Sequence, residues 1–187
     1  MNRNRLQTLL ISAMLCAIGI IIPMFSPLKV VLEPASFTLG SHIAIFIAMF
    51  VSPVCALAVA FGTTVGFFLG GFPLVVVMRA ATHIVFAGVG SVILAKRSRT
   101  LEKPASASVF ALLISVLHAI SEVAIVMPFY FGNRMSGAYY SKGFLTSVIL
   151  LVGVGTVVHS LIDFSIARLI WAPIKKMNVA KTRTVRV

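Results

Sequence analysis

The sequence predicts an all-α integral membrane protein: a bundle of six transmembrane helices with both termini in the cytoplasm. Three observations carry this. The chain is 59% hydrophobic and only 11% charged, against about 25% charged residues in ordinary soluble domains. Its apolar stretches approach or exceed the roughly 20 residues that a helix needs to cross a bilayer. Its basic residues gather in alternate connecting segments, as the positive-inside rule requires. At 187 residues the chain has room for about six spans and little else, so residues 1–187 read as a single transmembrane domain.

The first span is expected over 6–24, closed by Pro23 and Pro27, which remove backbone donors and restrict their neighbours. Arginines before an apolar run resemble a signal peptide, but the run continues through Ile22 without a small-residue cleavage site, so it reads as a retained helix. Residues 26–38 (SPLKVVLEPASFT) form an outer loop, apolar enough to fold back over the protein. The apolar run that follows is divided at Ser52-Pro53 into spans at 39–52 and 54–69. Gly70-Gly71-Phe72-Pro73 turns the chain into a fourth span at 74–95, ended by KRSRTLEKP. A fifth covers 105–131, an outer loop rich in tyrosine and turn residues covers 131–143, and a sixth covers 144–171, followed by a basic tail from Lys175.

With six spans, one side holds Arg3, Arg5, Lys96, Arg97, Arg99, Lys103, Lys175, Lys176, Lys181, Arg183 and Arg186, and the other only Lys29, Arg134 and Lys142. The first side is the cytoplasmic one. The net charge of +12 is thus a matter of topology and of contact with anionic lipid headgroups. No basic-aromatic module for nucleic acid is present.

Ionisable residues inside the spans are the candidates for function, since a central Arg or acid costs about 2.5–3.5 kcal/mol to insert. Arg79 and His83 are four apart on the fourth span, as are His118 and Glu122 on the fifth, so each pair shares a helical face. Arg79 and Glu122 lie at similar depth, within reach of each other across the fourth and fifth spans. Such a pair either fixes packing alone or lines a polar pocket in which Arg79 grips an anion through its planar fork of donors while Glu122 and His83 orient it.

His159 and Asp163 form a third pair at the same spacing, and with His118 and Glu122 they make two HxxxE/D half-sites. A metalloenzyme of the membrane built on these four is the alternative function. Neither HExxH nor an acidic cluster accompanies them, so no metal site and no resident cofactor is expected. Cys16 and Cys55 sit in apolar runs and read as core residues. The absence of GxSxG, P-loop and dinucleotide fingerprints excludes self-contained hydrolase, ATPase and dehydrogenase chemistry, so energy for any transport must come from another subunit. Gly62, Gly66 and Gly70 repeat at intervals of four, a pattern for close internal packing, while Ala13 and Ala17 give the first span a small-residue face for packing or docking.

Six short spans, a basic N-terminus, the Ala13/Ala17 face, a long outer loop after the first span, and the ending GTVVHSLIDFSIARLIW (155–171) together resemble the substrate-binding S component of an energy-coupling factor vitamin transporter, over essentially the whole chain. The resemblance implies a multi-pass protein of the cell membrane without catalysis of its own. It implies docking through Ala13 and Ala17 on a transmembrane coupling subunit that joins two cytoplasmic ATPases. It also implies a vitamin held near the outer side by Phe37, Ser41, Arg79, His83, Glu122, Tyr130, Asn133, Arg134 and Tyr139. The sole tryptophan, Trp171, lies at the cytoplasmic end, so the tryptophan-rich pocket of a thiamine binder is missing. Arg79, Arg134 and Lys142 favour a vitamin with a carboxylate. The stretches SHIAIFIAMFVSP and GFPLVVVMRAATH look most like pantothenate members, with nicotinate the second choice.

Overall fold

The computed structural model describes residues 3–32 and 35–184, with side chains described for 5–28 and 37–176. Of the basic residues that set the expected topology, Arg3, Lys29, Lys181 and Arg183 have side chains outside this set, and Arg186 lies outside the described residues.

Helix α1 (Arg3–Phe25) leads into a short antiparallel hairpin, β1 (Lys29–Leu32) and β2 (Ala35–Thr38), with Lys29 opposite Thr38 and Leu32 opposite Ala35. Then come α2 (Ile43–Val51), α3 (Pro53–Leu69), α4 (Leu74–Lys96), α5 (Pro104–Phe131) and the short α6 (Gly137–Ser141). The last long element begins as a π-helix (Leu145–Val154) and continues as α7 (Gly155–Thr184). Apart from the hairpin the protein is helical, as expected.

Four helical segments are long and apolar enough to cross a membrane: 5–25, 74–96, 104–131 and 145–176. The two elements between α1 and α4 are shorter. α3 has 17 residues. The span expected over 39–52 is a helix of nine residues, about 14 Å at 1.5 Å per residue, roughly half a hydrocarbon core. Its first turn is prevented from extending backward by Gly40, at φ +88°. The expected division at Ser52-Pro53 is present: Ser52 is extended, its Oγ accepts from Cys55 N–H at 3.2 Å, and Pro53 opens α3. Two further differences concern connections. The outer loop at 131–143 contains α6, and the basic tail from Lys175 continues the helix to Thr184.

α1 and α3 run parallel, because Cys16, Ile20 and Met24 meet Gly62, Gly66 and Gly70 in order. A Cβ on Gly62 would lie 2.5 Å from the Cys16 sulfur, and one on Gly66 would collide with Ile20. The glycine repeat is therefore an internal seam, the use that close-packed membrane helices make of small residues. Cys16 sits in that seam, half-buried, and Cys55 is buried with Ser12 Oγ 3.3 Å from its sulfur. Parallel α1 and α3 place the start of α1 at the same end as the end of α4. There too Lys175 Nζ lies 3.4 Å from Glu102 and Arg168 donates to Leu101 O at 3.3 Å. The N-terminal, 97–103 and C-terminal basic segments thus share one end of the bundle. The core between them is built from Phe46, Met49, Val59, Phe86, Phe110, Ile114 and Phe164 around the buried α2.

Candidate functional site

Toward the opposite end, α4 and α5 bring Arg79 and Glu122 together: Arg79 Nη2 donates to Glu122 Oε2 at 2.8 Å. Thr156, on the first turn of α7, donates to the same oxygen at 2.6 Å. The other carboxylate oxygen faces His118 Nε2 at 3.4 Å and His83 Nε2 at 3.8 Å. Glu122 is 3% exposed, and its charge is compensated by the guanidinium and the hydroxyl, as a buried carboxylate requires. The Arg79 Nε–H has no protein partner although it is buried.

A second carboxylate, Asp163 on α7, is fully buried. Its Oδ1 accepts from Gly40 N–H at 2.8 Å, and its Oδ2 from His42 N–H at 2.9 Å. These amides open the chain into α2, so a side chain 121 residues away stands at the helix's positive end, where an anion is stabilised. Asp163 Oδ2 also meets His42 Nδ1 at 3.2 Å and His159 Nε2 at 3.1 Å. His159 Nε2 lies 3.0 Å from Thr38 O, which ties the hairpin to α7.

All four histidines of the chain therefore meet in one place. The His42 ring lies 4.8 Å from each of the rings of His83, His118 and His159, and His83 lies 4.9 Å from His118. Phe86 closes the cluster from below, its ring 4.3 Å from that of His118. The sequence reading had three of these histidines in three separate pairs and passed over His42. Its neighbours IAIFIAMF read as plain apolar helix, and nothing local signals that Asp163 caps the turn before it. Thr156 was missed for the same reason.

Beside the cluster lies a cavity of about 410 Å³ lined by Phe37, Ser41, His42, Arg79, His83, Glu122, Thr156 and His159 together with apolar residues of α1, α3 and α4. The hairpin covers it, as the sequence reading expected of the outer loop. The Phe37 ring packs edge-on to His159 at 5.5 Å and sits directly on Gly155. Of the expected site residues, Phe37, Ser41, Arg79, His83 and Glu122 line this cavity. Tyr130, Asn133 and Arg134 do not. Tyr130 packs against Tyr140 and Phe144, Asn133 occupies a turn at φ 54°, and Arg134 is exposed. Tyr139 is half-buried on α6 and feels the charges of Arg79 and Glu122; burial raises its phenol above the usual value. Ala13 and Ala17 face outward on α1 among exposed Leu10, Met14, Ile18 and Ile21, so they take no part in the internal seam. A larger groove of about 1150 Å³ between α5 and α7, near Arg168, Lys175 and Lys176, has no convergent buried polar groups.

Among known proteins the chain is 36% identical over 166 residues to the niacin transporter NiaX of Lactococcus lactis subsp. cremoris (strain MG1363), which covers 89% of this chain and 73% of that protein. The chain belongs to the family of NiaX. No family model and no solved structure matches it. Membership of the NiaX family, with four helices able to cross a bilayer, makes this a multi-pass protein of the cell membrane.

Proposed function

We propose that this protein is the S component of an energy-coupling factor importer and that it binds nicotinate. The observation that carries this is the buried Arg79 beside the covered cavity. Its Nη2 is held by Glu122, its Nε–H has no protein partner, and a carboxylate entering the cavity completes it. A charge-assisted hydrogen bond in such a dry site is among the strongest available. Phe37 and His159 give the cavity an aromatic wall against which a small ring can pack. The relative is named a niacin transporter, so the order of the two candidate vitamins is reversed: nicotinate first, pantothenate second. Six crossings with cytoplasmic termini, docking through Ala13 and Ala17, and a coupling subunit driven by two ATPases complete the proposal. They draw on the outward-facing alanines and on the basic segments gathered at one end.

The metalloenzyme alternative has its four residues in the same neighbourhood. However, His118 and His159 address different carboxylates, Glu122 and Asp163, and the relative is a transporter.

Calorimetry on the detergent-purified chain tests the assignment. Nicotinate should bind tightly without ATP, and nicotinamide, lacking the carboxylate, about 10- to 100-fold more weakly, the loss of about 1.5–3 kcal/mol for a hydrogen bond to a charged group. Arg79→Lys, which leaves a cation for Glu122, should weaken nicotinate at least about tenfold, because the ammonium cannot present the fork. Equal affinity for nicotinate and nicotinamide, or tight pantothenate binding with none of nicotinate, overturns it.

A further inference from the structure

The histidine cluster has more nitrogen than the protein uses. Asp163 and its neighbours engage His42 Nδ1, which leaves Nε2 for a ligand. Ser160 Oγ engages His118 Nδ1 at 2.8 Å, and His118 Nε2 is buried with Glu122 Oε1 3.4 Å away but no well-aligned hydrogen bond. His83 Nδ1 is likewise buried without one. Unmatched buried nitrogens are costly. Here two of them, on His83 and His118, belong to rings that pack against each other and against His42, and one nitrogen of each of His42, His83 and His118 lies within 4.8 Å of the others.

We infer that His42, His83 and His118 bind a divalent transition-metal ion of the zinc, nickel or cobalt class through three imidazole nitrogens, with the fourth position open to the cavity. Three nitrogens and an open position are the donor set of such ions. Tetrahedral zinc, with Zn–N of about 2.0–2.1 Å, separates its ligand nitrogens by about 3.4 Å. The nitrogens here lie within 4.8 Å of one another, so the ion would draw them together on binding. The surroundings fit as well. Asp163 holds His42 by its Nδ1, as Ser160 holds His118, which is the outer support that fixes the tautomer and direction of a metal-binding imidazole. Phe86 supplies an apolar floor against three of the rings.

Charge points the same way. Arg79 is matched by Glu122, whereas among the described residues no Lys or Arg pairs with Asp163, which is met by imidazoles and backbone amides. A vitamin carboxylate would bring a further negative charge, which a membrane interior resists. One divalent cation balances both. The part of the inference in which the ion meets nicotinate rests on the proposed function; the metal site itself does not.

The test uses the full chain, purified without chelator for metal analysis and then stripped and titrated with Co²⁺ and Zn²⁺. One ion per chain is expected, with the visible bands of four-coordinate Co²⁺ that Zn²⁺ displaces. His42→Gln, His83→Gln and His118→Gln should each abolish them, and Asp163→Asn should weaken binding about 10- to 100-fold. The double variant Cys16→Ser/Cys55→Ser should bind as the wild type does. Where a glutamine variant does not fold, X-ray absorption on the cobalt-loaded wild type reads the ligands directly. Three histidine nitrogens support the site, whereas sulfur or oxygen alone overturns it. A wild-type chain that takes up no metal yet binds nicotinate overturns the site and leaves the transport reading standing. Stoichiometric metal with no nicotinate binding supports the site and overturns that reading instead.

Discussion

Gly155 offers a way to disturb the vitamin site without weakening the bundle. A Cβ built there lies 2.5, 3.2 and 3.4 Å from three carbons of the Phe37 ring, whereas ordinary contact begins near 3.4 Å. Gly155→Ala must therefore drive the ring back by about 1 Å, off its edge-on contact with His159. Burying a whole phenylalanine is worth about 1.5–3 kcal/mol, and an aromatic pair about 0.5–1.5 kcal/mol. For a half-buried ring moved but not removed, a loss of about 1–2 kcal/mol follows, or roughly 5- to 30-fold in nicotinate Kd. Stability loses part of the same packing but regains about 0.5–1 kcal/mol because Ala is favoured over Gly inside a helix, so the unfolding midpoint should move less than the affinity. Calorimetry and thermal unfolding of the same sample separate the two effects. Phe37→Ala should cost a similar affinity, and the double variant no more than Phe37→Ala alone, because the methyl then meets nothing. Affinity within twofold of wild type for Gly155→Ala, or losses that add in the double variant, would refute the assignment of Phe37 as the cover of the site.

Thr156→Val removes the 2.6 Å hydrogen bond to Glu122 at nearly constant volume, so thermal unfolding should report about 1.5–3 kcal/mol less stability; an unchanged midpoint would mean that Arg79 alone satisfies the carboxylate. Ala13→Leu/Ala17→Leu should leave nicotinate affinity and unfolding within about 0.5 kcal/mol of wild type, as befits outward-facing positions, yet abolish co-purification with a coupling subunit, and retained assembly would move the docking face elsewhere. Burial raises the Tyr139 phenol, with Arg79 opposing and Glu122 adding. The neutral form is thus favoured in the folded state, and the associated stability is intact below about pH 10 and falls as pH rises through the raised value. Tyr139→Phe should remove that part of the alkaline loss, and identical pH profiles for the two chains would show that Tyr139 is not the group responsible.

The long spans were legible because their signal is local. Apolar length, the proline pair after α1 and Ser52-Pro53 between α2 and α3 each act within a few residues. Arg79 and Glu122 were legible as a pair because helical spacing and depth from the membrane surface suffice to bring two residues together. His42 was not, since its role depends on Asp163 arriving from another helix and accepting from the amide that opens α2. The hairpin also escaped, although the fold-back of its segment did not. The π-helix at 145–154 leaves no mark in an apolar stretch, because i→i+5 and i→i+4 bonding demand the same kind of residues. Arg134 and Asn133 entered the expected pocket through the family resemblance, but both are exposed in the turn at Asn133 and neither lines the cavity.

The hairpin and the histidine cluster are fastened by the same few atoms. His159 joins Thr38 O to Asp163, and Asp163 holds the amides of Gly40 and His42 immediately beyond the strand. Lifting the hairpin therefore unlatches the imidazoles, and whatever tightens the imidazoles slows the lifting. Linkage requires the reverse as well: the open form must hold the cluster's occupant more weakly. In the proposed importer, escape of a bound vitamin would be a gated event governed at Asp163, and the residence time of the cargo would be a property of this latch as well as of its own contacts.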